Sequence, residues 1–276
     1  MFLINMRRIF SANMNGLKPV VRCGVVIFGF AALGGCREGP DARISELRGM
    51  ARHPGPAQLR SIEGAFSDAD RDVRATALTL VAGIDAERGR GMALKALDDS
   101  DGVVRAAAIR VLGPPQDQGL LARVTSLASL DPVWQVRRAA LEAIAGADVE
   151  TVRAAYEQGI VDANREVRHA SLAGGASHPG LLSTGALSRV LKEDADWENR
   201  VLAAEILGAS SDPEAYAFLD EAVLDPHEFV RAEATRARQA LLRSGVPRPT
   251  PPPAPPASPA PPASPAPDTT KRKPGV

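Results

Sequence analysis

Six aspartates in this chain are each followed, six residues later, by an arginine. The pairs are Asp68/Arg74, Asp99/Arg105, Asp131/Arg137, Asp162/Arg168, Asp194/Arg200 and Asp225/Arg231. A carboxylate beside a guanidinium can move a proton, but a catalytic residue has no reason to recur in every copy. The arginines follow one another every 31 or 32 residues, which is typical of a repeat array. We therefore expect a structural ladder, in which each carboxylate accepts bonds at a helix start and from the arginine of its own or the neighbouring repeat.

No other group of residues has the spacing of a catalytic, cofactor-binding or metal site. The four histidines are His53, His169, His178 and His227, and no two of them have the i, i+4 spacing of a helical metal site. The sequence also lacks a glycine-rich phosphate loop, a nucleophile elbow and zinc-finger spacing. It therefore predicts no catalytic residue, no cofactor and no metal ligand, and hence no enzyme.

Apolar or small residues accompany most ladder arginines at helical spacing. They occur one residue before the arginine and three, four and seven residues after it, as do Val136, Ala140, Leu141 and Ile144 around Arg137. These offsets lie on one face of an α-helix. A glycine follows most copies, and we expect it to end the helix in the left-handed conformation. These glycines are Gly83, Gly113, Gly146, Gly174 and Gly208.

A second apolar-periodic stretch precedes each of these segments, so every repeat is a helical hairpin of helix A, a turn with the aspartate, and helix B. The expected pairs are 56–66 with 71–82, 87–97 with 102–112, 117–128 with 133–145, 149–160 with 164–173, 180–192 with 197–207 and 213–223 with 228–242. No run of alternating β-branched residues indicates a sheet. The sequence predicts an all-α fold, a right-handed α-solenoid of about six repeats over residues 55–243.

The repeat frame resembles the HEAT-like repeats of bacterial proteins, which are close to armadillo repeats and occur in phycobilin lyases. The matching residues include Asp131, Arg137, Ala140 and Leu141. The resemblance covers about residues 55–242. It departs at Asn199, at Gly175 and at Arg238, and at Arg238 a polar residue suits a capping repeat. It implies a scaffold that binds an unknown protein or peptide on a concave face lined by the B helices.

The N-terminus is typical of an export signal. Basic residues precede an apolar run from Cys23 to Leu33, which as a helix spans about 16 Å and is too short for a bilayer core of about 30 Å. The run ends in Leu33-Gly34-Gly35-Cys36, which resembles the lipobox of bacterial lipoproteins. By this resemblance residues 1–35 are a signal peptide, Cys36 is lipidated, and residues 36–54 lead into the repeats.

A lipid on Cys36 implies a chain that is anchored in the bacterial cell envelope and faces the periplasm. By the same resemblance, Arg37 after the cysteine favours the outer over the inner membrane. The start of translation stays open between Met1, Met6 and Met14. An ordinary signal peptide with an incidental cysteine, or a buried N-terminal helix, are the alternatives.

The C-terminal residues 244–276 form a Pro-rich tail. Residues 246–267 repeat Pro, Ala and Ser, a composition that adopts polyproline II and reaches roughly 70 Å. The tail ends with the basic Lys271-Arg272-Lys273. It is interpreted as a disordered spacer with a tip for peptidoglycan or anionic lipid, or as an untethered tail.

The balance of charge disfavours a nucleic-acid partner. The whole chain has 33 basic and 33 acidic side chains, but residues 37–243 hold 25 of the basic and 32 of the acidic ones. A protein that binds nucleic acid needs a basic surface to neutralise phosphates. We therefore expect no nucleic-acid partner.

Two tryptophans are the candidate anchors for a partner. Trp134 and Trp197 each stand three residues before a ladder arginine, and Arg165 holds the same position in the repeat between them. Aromatic and arginine side chains dominate binding energy at interfaces. Arg138 and His169 follow ladder arginines and extend this predicted patch. In the alternative interpretation, each tryptophan only covers the junction to its neighbouring repeat.

Two other classes of function stay open beside the scaffold. HEAT-like repeats also occur in bilin lyases and in DNA glycosylases, although an export signal disagrees with both reactions. A purely structural spacer is the third interpretation. Only the detection of a binding partner would distinguish a structural spacer from a binding scaffold, because the sequence is compatible with both.

Overall fold

The computed structural model describes residues 39–249 of the chain. Over this span there are thirteen α-helices, one short 3₁₀ turn and no β-strand. The predicted signal peptide, the lipidation site Cys36 and the tail from Thr250 onward lie outside the described residues. The prediction of an all-α fold is confirmed.

The helices have the following bounds, with the 3₁₀ turn Ala65–Ser67 directly after α2. They are α1 (Pro40–Ala51), α2 (Pro56–Gly64), α3 (Arg71–Ile84), α4 (Ala86–Ala96), α5 (Gly102–Leu112), α6 (Gln118–Leu130), α7 (Trp134–Ala143), α8 (Val149–Gly159), α9 (Arg165–Ser177), α10 (Thr184–Glu193), α11 (Trp197–Gly208), α12 (Ala215–Ala222) and α13 (Glu228–Arg243). The even-numbered helices from α2 to α12 are the predicted A helices. The odd-numbered helices from α3 to α13 are the predicted B helices.

Six hairpins stack in chain order to form the solenoid. Each A helix packs on the B helix that follows it, and each B helix packs on the B helix of the next repeat. The apolar residues four positions after the ladder arginines are fully covered, since Leu78, Ile109, Leu141 and Leu172 are at most 1% exposed. The core therefore runs between the two helix layers along the whole array, as a stacked repeat fold requires.

The predicted helix bounds agree with the structure to within two residues, except around Gly180. There α9 continues four residues beyond its predicted end, and α10 begins four residues after its predicted start. The chain reverses at Gly180, which has φ +83°. Glycine adopts this left-handed conformation without steric cost, so the turn falls there and not at the earlier glycines.

Of the glycines predicted to end most B helices in the left-handed conformation, only Gly113 has a positive φ, and its φ of +62° with ψ −154° is not that of the left-handed helical cap. Gly174 and Gly208 lie within α9 and α11 and have no positive φ. A Cβ on Gly174 would lie 2.2 Å from Tyr156 Cε1. A Cβ on Gly208 would lie 2.5 Å from that of Ala237. A neighbouring helix packs so closely against these two positions that neither leaves space for a side chain larger than that of glycine.

A helix precedes the first predicted hairpin, where the sequence predicts only a lead-in. This helix, α1, packs on α3 in the same way that each B helix packs on the next. Its Leu47 is buried in the common core. The array therefore begins with a B helix that has no A helix before it within residues 39–249. No helix of these residues has both the length and the apolar character needed to span a bilayer.

Candidate functional site

The ladder arginines join each repeat to the next one. Arg105 donates from Nε to Asp131 Oδ2 and from Nη2 to Asp131 Oδ1, both over 2.8 Å. Its Nη1 donates over 2.8 Å to the carbonyl of Asp99 in its own repeat. The same two-pronged contact links Arg74 to Asp99, Arg137 to Asp162, Arg168 to Asp194 and Arg200 to Asp225. Of the two partners that the sequence leaves open, the carboxylate therefore bonds the arginine of the preceding repeat.

The ladder aspartates fix the turn between helix A and helix B without capping helix B themselves. Asp162 Oδ1 accepts from the backbone N–H of Asn164 over 2.8 Å. Asn164 then caps α9, since its side chain accepts from the N–H of Glu166 over 2.9 Å. Asp70, Asp101 and Asp196 cap their helices in the same way. In these four repeats the helix cap is two residues after the ladder aspartate, whereas Val133 and His227 give α7 and α13 no side-chain cap. The ladder carboxylate accepts from the N–H of this following residue, so it accepts a bond at the helix start as expected.

Both oxygens of the ladder carboxylates from Asp99 to Asp225 are occupied by donors. Burial alone would raise the pKa of Asp194, but hydrogen bonds from Arg168 and from the N–H of Asp196 outweigh it and lower that pKa. The pKa values of Asp99, Asp162 and Asp225 are lowered by the same balance of burial against an arginine and a backbone donor. A carboxylate that is held ionised and saturated with donors is poorly suited to accept a further proton in catalysis.

A seventh ladder arginine was absent from the sequence prediction. Arg43 is the fourth residue of α1, as each ladder arginine is the fourth residue of its B helix. Its Nη2 donates to Asp68 Oδ1 over 3.1 Å. The signal in the sequence is the spacing, because Arg43 precedes Arg74 by the same 31 residues that separate Arg74 from Arg105.

Three of the predicted partner-binding residues occupy the same place in successive repeats. Trp134, Arg165 and Trp197 are the first residues of α7, α9 and α11. They lie at what we call the ladder edge, where the A–B turns and the N-termini of the B helices meet. The predicted patch is therefore at the end of the B helices and not along their middle.

Trp197 belongs to a group of three rings that we call the aromatic cluster: Trp197, His227 and Phe229. The indole stacks on the imidazole of His227, with 4.3 Å between ring centroids and 10° between planes. Phe229 lies 5.4 Å from Trp197 and 5.6 Å from His227 in tilted geometry. Phe229 is 55% exposed, so the cluster presents an aromatic face to solvent.

The sequence gives a weak signal for the two added rings. Phe229 stands two residues before a ladder arginine, where the three preceding repeats have Gln135, Glu166 and Glu198. A large aromatic residue at a position that is polar in these three repeats indicates an exposed ring. The stack of His227 on Trp197 brings together residues 30 positions apart, which only the packing of α11 on α13 establishes.

Trp134 does not join the aromatic cluster. It is half-buried at the start of α7 and packs against the core. The helix α9 lies between α7 and α11, and helix axes are about 8–10 Å apart, so the two indoles are on the order of 16–20 Å apart. This position fits the alternative in which Trp134 covers the junction between repeats.

The predicted basic residues are paired with acids. Arg165 contacts Asp196 over 2.9 Å and Glu198 over 2.7 Å. Arg138 contacts Glu142 over 2.7 Å and Glu166 over 3.4 Å. His169, one turn after Arg165 on α9, is half-buried. The surface beside the cluster is therefore a mixed acidic and basic one, in which acids pair with the arginines of the predicted aromatic-basic patch.

Two grooves lie between neighbouring A helices, and each includes a ladder aspartate in its lining. One of about 390 Å³ separates α10 from α12, and its lining mixes apolar residues such as Leu191 and Phe218 with charged ones such as Lys192 and Glu221. Another of about 280 Å³ separates α8 from α10 and includes Val161 and Arg189. No group of three His, Cys, Asp or Glu side chains within residues 39–249 has the geometry of a metal site.

The family model described as HEAT repeats matches residues 60–145 of this chain. No curated protein matches it. Among solved structures, the chain is similar to YibA of Escherichia coli at 16% identity, over 76% of this chain and 80% of that one, with a TM-score of 0.53.

Two further solved structures have lower similarity. The archaeal HEAT-like repeats protein of Thermococcus onnurineus is 13% identical over 76% of this chain and 99% of its own, with a TM-score of 0.49. The complex of CpcE and CpcF of phycocyanin lyase from Nostoc is 16% identical over 78% of this chain and 99% of that one, with a TM-score of 0.38. At these identities such similarities concern the fold alone.

The stacked hairpins and the matched repeats define the class of protein. Residues 60–145 match the HEAT-repeat model, and residues 39–249 have an all-α solenoid fold of HEAT-like repeats. Repeats of this class generally mediate protein binding, and a solenoid offers an extended surface for it.

Proposed function

We propose that this protein is a non-enzymatic scaffold that is anchored by a lipid on Cys36, faces the periplasm of a bacterium and binds a protein or peptide at the aromatic cluster. The observation that supports the binding role most directly is the stack of Trp197 on His227 beside the exposed ring of Phe229. The lipid anchor is supported by the lipobox resemblance that ends at Cys36.

The aromatic cluster has the features of an interface anchor. Its rings are held by contacts between two neighbouring B helices, so little side-chain entropy is lost when a partner binds. The ion pairs of Arg165 with Asp196 and Glu198 lie next to it and supply a polar rim. An apolar aromatic centre with a polar surround is the usual anatomy of a protein interface.

The test of the binding role compares two exposed apolar residues on one helix. Phe229 and Leu242 both lie on α13 and are 55% and 56% exposed, but only Phe229 belongs to the aromatic cluster. We expect a partner recovered from solubilised bacterial envelopes to bind the wild-type protein and Leu242→Ala equally. Binding to Phe229→Ala should be weaker by about tenfold or more.

Equal recovery of the partner by Phe229→Ala would remove the aromatic cluster from the proposal. Recovery of no specific partner by the wild-type chain, compared with beads that carry an unrelated solenoid, would favour a structural spacer. Circular dichroism of each variant shows whether the helices are retained. It separates a loss of binding from a loss of folding.

The anchor is tested at the mature N-terminus. We expect mass spectrometry of the wild-type protein to show a chain that begins at Cys36 and carries acyl chains. Cys36→Ser should carry no acyl chain, because the thiol that takes the lipid is gone, and should keep residues 1–35 uncleaved. A wild-type N-terminus without lipid would contradict the proposed envelope anchor and leave the aromatic cluster unaffected.

The Pro-rich tail has a proposed role as a spacer. Its basic end, Lys271-Arg272-Lys273, would contact peptidoglycan or anionic lipid, because both present negative charge to a cationic segment.

A further inference from the structure

The array ends at a ladder arginine that has no repeat after it. Arg231 lies on α13, and no helix follows α13 within residues 39–249. The five ladder arginines from Arg74 to Arg200 each hold the aspartate of the next repeat between Nε and Nη2. Arg231 is exposed and has no carboxylate at this edge among the described residues. Two of its donors are therefore available to a ligand from outside the array.

The guanidinium of Arg231 is nevertheless fixed in place. Its Nη1 donates to the carbonyls of Asp225 and Pro226, each over 2.9 Å. Arg105 is held in the same manner by two carbonyls of its own A–B turn. Because the guanidinium is planar and its donors form a fixed fork, Nε and Nη2 of Arg231 point to the place where the aspartate of a further repeat would lie.

The five complete contacts show which ligand this edge of a ladder arginine accepts. In each of them the two oxygens of one carboxylate accept from Nε and Nη2 over 2.6–3.0 Å. A two-pronged pair of this kind is specific in its geometry and stronger than a hydrogen bond between neutral groups. The free edge of Arg231 therefore fits a carboxylate.

The aspartates that are bound in this way share one conformation. Asp162 Oδ1 accepts from Arg137 and also, over 2.8 Å, from the backbone N–H of Asn164. The same bond to the N–H two residues later occurs at the other ladder aspartates. It closes a turn directly before a helix. The ligand that matches the edge of Arg231 in full is therefore an aspartate in a turn that begins a helix.

The surface of α13 around Arg231 is polar. Thr235 and Arg238 stand where the inner B helices have mostly apolar residues. The Oγ1 of Thr235 donates to the carbonyl of Arg231, and Nη1 of Arg238 donates to Asp220, each over 2.9 Å. Glu228, one turn before Arg231, is exposed and repels a doubly charged anion more than a singly charged one. This surface thus suits a singly charged polar group better than an apolar helix face or a phosphate.

A second copy of this chain does not offer the matching aspartate at the other end of its array. That end is α1, and six residues before its ladder arginine, Arg43, the sequence has Arg37. The first ladder aspartate, Asp68, is already in contact with Arg43. The carboxylate therefore has to come from a different protein.

We propose that Nε and Nη2 of Arg231 bind an aspartate of a partner protein, presented in a turn that begins a helix, as each inner ladder arginine binds the aspartate of the next repeat. Because two carbonyls already hold the guanidinium, little side-chain entropy is lost when the partner binds. The site contains no residue of the aromatic cluster and does not depend on the function proposed for that cluster.

The first test asks whether Arg231 binds a carboxylate better than an ordinary exposed arginine does. Arg189 of α10 is the matched control, because it is exposed and contacts neither a carboxylate nor a carbonyl within residues 39–249. Each of the two arginines has a glutamate one turn away on its helix, Glu228 beside Arg231 and Glu193 beside Arg189. The two sites therefore differ in how the guanidinium is held.

The measurement follows both Nε–H signals in nitrogen-15 NMR spectra of the wild-type protein while sodium acetate replaces sodium chloride. Each signal is assigned by its loss in Arg231→Lys or Arg189→Lys. We expect the half-maximal shift of Arg231 at an acetate concentration about threefold to tenfold lower than that of Arg189, because only Arg231 is already fixed.

A peptide tests whether the turn is recognised as well as the charge. The acetylated and amidated peptide with the sequence of residues 161–167 contains Asp162 and its turn, and the control peptide carries Asp162→Asn. We expect the first peptide to shift the Arg231 signal at a concentration lower than that of acetate by about threefold or more. The control peptide should show no such gain. Both peptides contain Glu166, so a difference between them is due to the aspartate.

Each of the other results would overturn the proposal. Equal midpoints at Arg231 and Arg189, or no shift at Arg231, would show that the fixed edge is not a carboxylate site. Equal midpoints for the two peptides would show that an aspartate turn is not recognised. Tighter binding of inorganic phosphate than of the peptide would identify a phosphate site in place of a site for a partner protein. The titrations use the wild-type protein alone, so they do not depend on the stability of a variant.

Discussion

Arg43 donates a hydrogen bond to Asp68 across 3.1 Å, and this contact continues the ladder one step beyond the first complete hairpin. The arginine belongs to α1 and the aspartate to the turn before α3. Helix α1 therefore behaves as half of a repeat, a B helix that covers the apolar side of α3. A capping element of this kind protects the end of a stacked array.

Replacement of Arg43 should loosen α1 without unfolding the array. In Arg43→Ala we expect the amides of α1 to exchange with solvent about tenfold faster, because an end helix with one contact less opens locally. Amide exchange of α7, in the middle of the array, should be unchanged. Equal acceleration in both helices would show instead that α1 and the array unfold as one unit.

A central rung of the ladder should contribute much more to stability. The side chains of Arg105 and Asp131 are only 11% and 3% exposed. Arg105→Ala leaves a buried carboxylate without its partner, so we expect a loss of about 3 kcal/mol in the free energy of unfolding, measured in urea.

An exposed ion pair between α6 and the turn after α4 serves as the control for Arg105→Ala. Arg123 contacts Asp98, and the two side chains are 38% and 79% exposed. Arg123→Ala should cost less than about 1 kcal/mol because solvent screens the pair. Similar losses in Arg105→Ala and Arg123→Ala would mean that the ladder adds no more than an ordinary surface pair.

The sequence predicts the fold well because the information is local and repeated. Six copies of one frame place apolar residues on one face of each B helix, and the structure buries them. Helix α1 escaped prediction since the aspartate six residues before the ladder arginine is replaced by Arg37, and Glu46 takes the place of the small residue three positions after it. A degenerate repeat such as α1 is recognised only when the period of the intact repeats is extended to it along the sequence.

The candidate site is less predictable because its contacts join different helices. Arg165 meets Asp196, which is 31 residues away in the chain, and Trp197 meets His227 at a separation of 30. A pattern on one helix indicates which residues share a face but not which residue of the next helix opposes them. The pairing of Arg165 with acids, and the place of Phe229 beside Trp197, follow from that packing alone.

Two glycines near the ends of B helices should respond oppositely to the same substitution. A Cβ on Gly174 would lie 2.2 Å from Tyr156, whereas one on Gly83 would meet no atom within 4 Å. We expect Gly174→Ala to lower the free energy of unfolding by about 1–3 kcal/mol through overpacking. Gly83→Ala should leave it unchanged or raise it by up to about 1 kcal/mol, since alanine favours a helix. Thermal and urea unfolding measure both, and a destabilised Gly83→Ala would indicate that Gly83 is needed as a helix end.

The free energy of unfolding of the array should fall in acid, and the ladder carboxylates determine the pH range in which it falls. Although burial opposes ionisation, the hydrogen bonds from Arg137 and from the N–H of Asn164 outweigh it and lower the pKa of Asp162 in the folded chain. In the unfolded chain an aspartate has a pKa of about 3.9. As the pH falls below that value, the unfolded state binds the proton first, so the stability that this group contributes is present above about pH 4 and is lost as the pH falls through the folded pKa. Asp99, Asp194 and Asp225 have lowered pKa values for the same reason and add to this loss.

Asp162→Asn tests whether the ladder causes the acid sensitivity. The variant should be less stable than the wild type at pH 7, because Arg137 loses the charge of its carboxylate partner. The gap between the two unfolding free energies should then narrow as the pH falls from about 4 towards 2, since the wild-type carboxylate becomes neutral as well. Urea unfolding at each pH gives both curves. Parallel curves over this range would show that other groups are responsible for the acid transition.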